Sequence, residues 1–373
     1  MKNCNRPILL TFVWLALVTA AQGCQVHGEQ REHSGTLTPT RNMSVRRAAH
    51  TATLLPDGKV LVAGGFENGN HLASTEIFDP ASQTFKASAN LSVARAGHSA
   101  TLLPNGNILI AGGYNGSYLA TAELYDPASN SFIPVRAMTA ARSGHVATLL
   151  QNGKVLLAGG VGIGWTFLAS AEIYDPTTNT FTPTSDMLAA RESHTATLLA
   201  NGKVLITGGH RGRRPATTIY SATELYDPAT GRFTAAAQMT RVRHKHDAVL
   251  LADGRVLILG GSDERDGQGA YASAEIYDPE RNRFNATGNM HSARYKLQGT
   301  AVLLSDGKVL VAGGANRAEV FDPSRNNFSY AAGDMETPRL FATATRLRNG
   351  QVLILGGYHG NSMSTSNAWI YSA

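Results

Sequence analysis

Cysteine is nearly missing from this chain of 373 residues, which contains only Cys4 and Cys24. Both lie close to the start, so the remainder of the chain can form no disulfide bond. The remainder also offers no thiolate to act as a nucleophile or to bind a metal ion. Packing and hydrogen bonds must hold the folded part together, and a hydrophobic content of 43% is enough to build such a core.

Charge is also scarce, because charged residues make up only 16% of the chain. The formal net charge of +6 includes Lys2 and Arg6, and the other basic residues are dispersed along the sequence. A surface that binds nucleic acid needs its basic residues concentrated in a patch or stripe. We therefore expect no nucleic-acid partner.

Long hydrophobic runs are missing after the N-terminal segment. Residues 8–18 form an apolar run that follows Lys2 and Arg6 and precedes the small residues of 20–23. This run is too short for a comfortable membrane span. The order of a positive region, an apolar region and small residues is typical of an export signal, so we expect residues 1–23 to be a signal peptide.

The small residues before Cys24 resemble the cleavage motif of bacterial lipoproteins. This resemblance implies that Cys24 is the lipid-attachment site and that residues 24–35 are a lipid anchor and polar tether. Gln25 resembles the residue found in lipoproteins sorted to the outer membrane. Gln22 is not a favoured residue in the motif, and an ordinary signal peptidase acting at the same bond would release a secreted protein instead. We expect an outer-membrane lipoprotein that faces the periplasm or the cell surface, with secretion as the alternative.

Glycine, by contrast, is abundant and periodic. A Gly-Gly pair recurs seven times at intervals of 43 to 53 residues, and each pair follows an Asn-Gly or Asp-Gly dipeptide typical of a tight hairpin turn. The pairs are Gly64-Gly65, Gly112-Gly113, Gly159-Gly160, Gly208-Gly209, Gly260-Gly261, Gly313-Gly314 and Gly356-Gly357.

The unit at residues 145–181 shows what one repeat encodes. Its apolar and β-branched segments predict short strands over 145–150, 154–158, 171–174 and 180–182, separated by turn residues. No helical period intervenes, so each unit is predicted to be a four-stranded antiparallel meander.

A period near fifty residues with four strands is the pattern of propeller blades. The double glycine, followed by an aromatic-containing third strand such as 172–175, resembles the kelch repeat. The resemblance covers residues 36–373. It implies an all-β fold, a single seven-bladed kelch-type β-propeller with four antiparallel strands in each blade.

The ends of the chain predict how the ring closes. The seventh unit contains only three strands, the last at 369–371, while residues 36–43 align without a gap on residues 180–187 of the third unit. We therefore expect residues 36–40 to provide the outer strand of the last blade. An N-terminal strand in that position joins the first and last blades.

The loops that follow the Gly-Gly pairs vary in length, and variable loops on a rigid frame are where binding usually resides. We expect the working site on this face, towards blades four to seven, where the repeat is least regular. The alternatives are a solvated charged loop and aromatic rings packed on their own blades. The predicted ligand-binding residues are a cationic cluster and four aromatic side chains: His210, Arg211, Arg213, Arg214, Trp165, Tyr118, Tyr271 and Tyr358.

Three residue types also recur at fixed positions in the repeats. An Arg opens each of the seven repeats, a His follows three positions later in five of them, and a Glu lies in six third strands. A ring of imidazoles is one way to bind a metal ion. We favour a structural role for these rings, in which buried Arg side chains pair with carboxylates, because a feature shared by every blade solves a problem shared by every blade.

We therefore expect an extracytoplasmic binding or scaffolding module, monomeric and without metal or cofactor, that recognises an acidic glycan or protein surface through the variable-loop face. The alternative is a sugar-modifying enzyme, similar to mutarotases or lyases, with an Arg and carboxylates on that face. No residue is singled out as catalytic. A third possibility is assembly through the faces of the disc with no small ligand.

The kelch resemblance also brings in galactose oxidase, a copper radical enzyme with this architecture. That chemistry needs a Tyr crosslinked to a Cys, together with a second Tyr and two His. Neither Cys4 nor Cys24 lies within the repeats, so we expect no copper radical oxidase.

Overall fold

The computed structural model describes residues 34–360 and 363–373. The predicted signal peptide and the predicted lipid-attachment residue Cys24 lie outside the described residues. Seven four-stranded antiparallel sheets are present, one for each predicted repeat, and their first strands contact each other around a common axis. The predicted seven-bladed, all-β propeller is therefore confirmed. Its only helical segments among the described residues are the short 3-10 turns Ile163–Trp165 and Asp266–Gly269.

In every blade, the first strand lies at the axis and the fourth at the rim, as the strand pairing shows. The strands of blades 1 to 3 are Thr51–Leu54, Val60–Ala63, Thr75–Asp79 and Thr84–Ala87; Ser99–Leu102, Ile108–Ala111, Ala122–Asp126 and Ser131–Val135; and Val146–Leu149, Val155–Ala158, Ala171–Asp175 and Thr180–Pro183.

Blades 4 to 7 repeat this order. Their strands are Thr195–Leu198, Val204–Thr207, Thr223–Asp227 and Arg232–Ala235; Asp247–Leu250, Val256–Leu259, Ala274–Asp278 and Arg283–Ala286; Ala301–Leu303, Val309–Val311, Glu319–Asp322 and Asn327–Tyr330; and Thr343–Arg346, Val352–Leu355, Ala368–Ser372 and Thr36–Pro39.

The second strand of each blade is the most apolar and the most deeply buried. All four residues of Val155–Ala158 are buried, and the same holds for the corresponding strand in the other blades that have four residues there. Both faces of these strands are covered because each sheet packs between two neighbouring sheets. The hydrophobic clusters accordingly combine residues of adjacent blades, as where Leu157 of blade 3 packs with Leu109 of blade 2.

The closing strand has the predicted position and partner. Thr36–Pro39 pairs antiparallel with Ala368–Ser372, with Leu37 opposite Tyr371. Leu37 is only 3% exposed and packs in a cluster with Val320 and Trp369. The predicted N-terminal strand over 36–40 is confirmed, and it removes the open edge that blade 7 would otherwise present.

The two faces of the disc differ in their turns. The Asn-Gly turns and the Asp-Pro turns share one face, since Lys154 of the first turn type forms an ion pair of 2.9 Å with Asp175 of the second. The opposite face holds the variable loops, which include the two-stranded hairpins Phe66–Glu67 with Asn70–His71, Val161–Gly162 with Thr166–Phe167, His210–Arg211 with Thr218–Ile219, and Tyr358–His359 with Met363–Ser364.

The double glycines lie where the chain enters this variable-loop face. Gly64 and Gly65 have φ values of 61° and 98°. A Cβ atom at Gly64 would lie 2.6 Å from the carbonyl oxygen of Arg95, which belongs to the entry segment of blade 2. Glycine is required because only a residue without a side chain allows that approach in this conformation. Among residues 34–360 and 363–373, no helix combines the length and the apolarity that a membrane span needs.

Candidate functional site

The recurring Arg residues are buried and paired with the recurring Glu residues. In blades 1 to 6 the guanidinium and carboxylate groups are 2.6–3.0 Å apart, and the Arg side chain is at most 1% exposed. In blade 3, Arg142 also donates hydrogen bonds to the carbonyl oxygens of Gly159 and Ser170. In blade 7 the third strand has Trp369 instead of Glu, and Arg339 lies over its ring at 4.9 Å. These contacts tie each blade entry to its own sheet.

The five recurring His side chains line the axis and are neutral, because burial lowers the pKa of His50 and His145 to about 3. In four of the five, Nε2 forms a hydrogen bond of 2.9–3.3 Å with a hydroxyl group on the first strand of the preceding blade. The pairs are His50 with Thr343, His98 with Thr51, His145 with Ser99, and His246 with Thr195. Across residues 34–360 and 363–373, no group of three or more His, Cys, Asp or Glu side chains is arranged to hold a metal ion.

The fifth, His194, is the exception. It is 3% exposed, and neither ring nitrogen forms a hydrogen bond of normal geometry with the described residues. Blade 3 has Val146 where blades 1, 2, 4 and 7 place a hydroxyl group, so this imidazole lacks its usual partner. Burial lowers the pKa of His194 well below its ordinary value, and the nearby Ala158 carbonyl opposes that effect only partly.

A second ring lies between the Arg and His positions of the repeat. The residue before each His position has a left-handed backbone, with φ between 49° and 64°. In six of the seven junctions its N–H donates to the carbonyl oxygen of the equivalent residue in the preceding blade, at 2.9–3.1 Å. The ring residues are Ala49, Gly97, Gly144, Ser193, Lys245, Lys296 and Phe341.

The size of these ring residues decides where the axis is open. Blades 1 to 4 contribute Ala, Gly, Gly and Ser, whereas blades 5 to 7 contribute the large side chains of Lys245, Lys296 and Phe341. Lys296 donates to the hydroxyl of Tyr358 at 2.5 Å, and Lys245 pairs with Asp266 at 2.5 Å. A cavity of about 550 Å³ therefore opens on the variable-loop face, lined mostly by blades 1 to 4 and bounded on its other side by Gln298 and Phe341.

Aromatic side chains form the rim of this axial cavity. His71, Tyr114, Tyr118 and Trp165 follow each other in edge or tilted contacts, with ring centroids 5.1–5.8 Å apart. The guanidinium of Arg213 lies 3.2 Å from the centre of the Trp165 ring. Such stacking orders both side chains and leaves a continuous aromatic wall beside the opening.

Glu192 is the acidic group of the axial cavity. Burial raises its pKa to about 7, and the charges of Lys245 and Arg213 and a hydrogen bond from Ser193 oppose that rise. A carboxyl group with such a pKa exchanges its proton near neutral pH. Glu192 also lines a smaller adjoining pocket of about 170 Å³.

This adjoining pocket gathers charged groups of blades 4 and 5. His210 and His244 face each other with their Nδ1 atoms 3.1 Å apart, and Arg213, Arg214 and Asp266 also line it. Burial lowers the pKa of His210 to about 4 and that of His244 to about 3, which keeps both rings neutral. Arg214 lies 3.7 Å from Asp266. The pocket therefore combines cations and a carboxylate within reach of one small ligand.

The structure separates the eight predicted binding residues into two groups. Trp165, Tyr118, His210, Arg213 and Arg214 line the axial cavity or the adjoining pocket. The other three do not line either space. Arg211 is exposed on a hairpin strand, Tyr271 lies 5.6 Å from Arg241 and Arg243, and Tyr358 is buried against Leu340.

Glu192 and the cavity on the side of blades 1 to 4 were not predicted from the sequence, and His194 was predicted only as one of five recurring histidines, because only the Arg and His positions were compared. The signal lies in the two residues between them. These entry tetrapeptides begin at the ring Arg and read RAAH, RAGH, RSGH, RESH, RHKH, RYKL and RLFA from blade 1 to blade 7. The third letter changes from small to large after blade 4, which marks the open side of the axis.

Comparison with known proteins identifies the repeats. The kelch motif matches residues 47–92, 94–139 and 142–188. No curated protein sequence matches the chain. Among solved structures, a fungal alcohol oxidase of the AA5 family, determined in complex with copper, superposes with a TM-score of 0.73 and 19% sequence identity; the match covers 91% of this chain and 76% of that one. At this identity the similarity shows the fold alone.

The residues of this propeller do not fit a copper radical site. Both cysteines precede the described residues, so a Tyr–Cys crosslink has no sulfur available within the blades. The His side chains of the axis are committed to hydroxyl groups of neighbouring blades, His194 excepted. By its strand topology and its repeats, the chain is a seven-bladed β-propeller that carries kelch motifs in three consecutive repeats.

Proposed function

We propose that this chain is a binding module that recognises a glycan in the axial cavity of its variable-loop face. A kelch propeller fits a binding or scaffolding role, and the axial cavity carries the proposal. Its volume of about 550 Å³ lies within the range of roughly 300–1,000 Å³ typical of small-molecule sites. That volume accommodates a sugar residue, whereas the side chains of a protein surface need a broader groove.

The chemistry of the walls also suits a sugar. A pyranose ring presents C–H groups on its faces and hydroxyl groups at its edge. Tyr118 and the side of the Trp165 ring that Arg213 does not cover offer an apolar surface to a face of the sugar, while Glu192 and Gln298 offer polar atoms to its edge. Arg213 and Lys245 lie close to Glu192 and add positive charge. This combination favours an acidic sugar over a neutral one.

The test is a calorimetric titration of the full chain with glucose, galactose, N-acetylglucosamine, glucuronic acid and their oligosaccharides. We expect at least one acidic sugar to bind, with a dissociation constant of about 1 mM or lower. Trp165→Ala should weaken that binding by about tenfold, because it removes the stacking surface.

The matched control is Ile133→Ala on the outermost strand of blade 2, since Ile133 and Trp165 are both 51% exposed. Neither substitution should change the melting temperature by more than about 2 °C, and only Trp165→Ala should affect binding. Binding of none of these sugars, or equal binding by Trp165→Ala, would contradict the proposal and favour a protein partner.

A second candidate function is a sugar-modifying enzyme of the mutarotase or lyase type. Glu192 favours it, because a carboxyl group with a pKa of about 7 can both accept and donate a proton at neutral pH. Arg213 lies in the same pocket and can orient a substrate carboxylate. The test is proton NMR of each sugar in the presence of the protein. If the protein accelerates anomer exchange or elimination and Glu192→Gln abolishes that acceleration, the chain is an enzyme. Spectra that the protein leaves unchanged would exclude this function.

We also propose that the chain is exported and carries a lipid on Cys24, an assignment supported by the N-terminal sequence. The test is expression in a didermal bacterium with a labelled fatty acid. Label should enter the protein and the membrane fraction should contain it. Cys24→Ser should remove both signals, and a wild-type chain found unlabelled in the medium would point to secretion instead.

A further inference from the structure

We infer that the junction between blades 3 and 4 is the polar anchor of the axial cavity and takes a hydroxyl group of the sugar. The anchor consists of the carbonyl oxygen of Gly144, the N–H of Ser193 and the imidazole of His194. This inference rests on the proposed function, which it deepens by assigning the atoms that hold the ligand.

The backbone ring around the axis is interrupted at this junction. Six junctions contain a hydrogen bond between consecutive ring residues, as from Gly144 N–H to the Gly97 carbonyl oxygen at 3.1 Å. The equivalent bond from Ser193 N–H to the Gly144 carbonyl oxygen is missing among the described residues. The donor and the acceptor that are paired at the six remaining junctions are thus not paired with each other here, at the wall of a cavity.

The same junction holds the imidazole that lacks its usual partner. His194 lines the cavity, is 3% exposed, and has Val146 in the position from which a hydroxyl group bonds the other ring histidines. A buried polar atom without a partner is costly and uncommon in a folded protein. One junction of the cavity wall therefore combines a backbone donor and acceptor that are not paired with each other and an imidazole whose nearest backbone acceptor is the Ala158 carbonyl.

The surrounding side chains leave room for a ligand group. Gly144 has no side chain, and a Cβ atom there would lie 3.7 Å from the carboxyl group of Glu192. The hydroxyl of Ser193 donates to Glu192 at 3.4 Å, so the carboxyl group is held beside the gap. Trp165 lines the same cavity. A sugar stacked on that ring presents its hydroxyl groups to the junction.

A hydroxyl group suits the gap because it donates one hydrogen bond and accepts others. It accepts from Ser193 N–H and donates to the Gly144 carbonyl oxygen, so it completes the backbone ring. A neighbouring hydroxyl of the same sugar then takes the place of the hydroxyl partner that His194 lacks, which requires the imidazole to turn towards the cavity, because both ring nitrogens are buried in the structure. A carboxylate or an ammonium group provides only one half of this pattern.

Val146→Thr tests the inference with a nearly isosteric change, because it supplies the hydroxyl that Thr51, Ser99, Thr195 and Thr343 supply elsewhere. His194 should then be satisfied within the protein. We expect the melting temperature of the full chain to rise by about 1–2 °C and the affinity for the sugar that binds best to fall about fivefold.

The matched control is Thr51→Val, which takes the partner from His98 in blade 2. It should lower the melting temperature and leave the affinity unchanged. Independently of any variant, the Nε2 nitrogen resonance of His194 should shift when the sugar is added to the wild-type chain, as read by ¹⁵N NMR of the imidazoles.

The outcomes separate the two proposals. Wild-type affinity in Val146→Thr, or a His194 resonance that does not respond to a bound sugar, overturns the anchor and leaves the glycan-binding function in place. A wild-type chain that binds none of the sugars overturns the proposed function itself, whatever the melting temperature of Val146→Thr. An unresponsive His194 together with weaker binding by Thr51→Val would mean that the substitutions act through the fold alone.

Discussion

Near the axis, buried histidines without a charged partner are neutral, whereas buried arginines that pair with a carboxylate are charged. The Arg residues of blades 1 to 6 keep their charge because each meets a Glu within 3.0 Å. Such a pair contributes little net stability, since both groups lose their hydration, but removing one partner would leave an uncompensated buried charge. Glu192 has no ion pair of this kind with the described residues, and burial raises its pKa to about 7.

The raised pKa of Glu192 makes stability depend on pH. Below the ordinary Glu pKa the carboxyl group is protonated in both the folded and the unfolded chain, so its ionisation does not change the free energy of unfolding. Between that value and about 7 the unfolded chain ionises while the folded chain retains its proton, so rising pH destabilises the fold. Asp247, with a pKa raised to about 6, contributes in the same direction.

Glu192→Gln isolates the contribution of this residue. The variant should melt about 2–4 °C higher than the wild type at pH 8 and at the same temperature at pH 4.5, as measured by scanning calorimetry. The contribution of Asp247 is present in both proteins and cancels in the difference. A temperature difference that stays constant with pH would contradict the raised pKa.

At the scale of elements, the ring is closed by a strand distant in sequence from the blade it completes. Thr36–Pro39 pairs with Ala368–Ser372, so the described N-terminus and the C-terminus share one sheet. Aromatic pairs at the outer strands have the same geometry in the other six blades, with centroids 4.8–4.9 Å apart. In blade 7 Leu37 takes the position of the fourth-strand Phe, opposite Tyr371.

Leu37→Ala should destabilise the propeller by about 2–5 kcal/mol, because it leaves a cavity beside Trp369. Thr38→Ala, one position along the same strand and exposed, should change stability by less than about 0.5 kcal/mol. Denaturant unfolding followed by tryptophan fluorescence measures both. Equal stability of Leu37→Ala and the wild type would show that the closing strand is not part of the cooperative unit.

The elements could be predicted from the sequence because each local signal is repeated seven times. The predicted strand over 145–150 is observed as Val146–Leu149, which is one residue shorter at each end. The predicted strand over 171–174 is observed as Ala171–Asp175, which is one residue longer at its C-terminal end. Hairpin turns, β-branched runs and the closing strand depend on local chemistry and pairing alone.

The site could be predicted only in part. The variable loops pointed to Trp165, Tyr118 and Arg213, which do line the cavity or the adjoining pocket. The burial of Tyr358 and the position of Tyr271 away from both spaces depend on how each loop folds back on its blade, and composition carries no information on that. His194 was recognised only as one of the recurring histidines, because the position that leaves it without a hydroxyl partner, Val146, lies 48 residues away in the sequence.

At the scale of the molecule, the proposed binding site depends on broken symmetry. Seven blades place equivalent residues around one axis, and the left-handed backbone of the ring is retained in all seven. Small residues in four neighbouring blades and large ones in the other three turn a closed ring into a cavity on one side. We propose that this open side binds the ligand.

The most direct test is Ala49→Lys, which gives blade 1 the residue that blades 5 and 6 already have. Ala49 has a φ of 49° and Lys245 and Lys296 have 54°, so lysine fits this backbone. Calorimetric titration with the sugar that the wild type binds best should show affinity reduced by about tenfold or more, with a melting temperature within about 2 °C of the wild type. Undiminished affinity in a folded Ala49→Lys chain, or no sugar binding by the wild type, would contradict the claim.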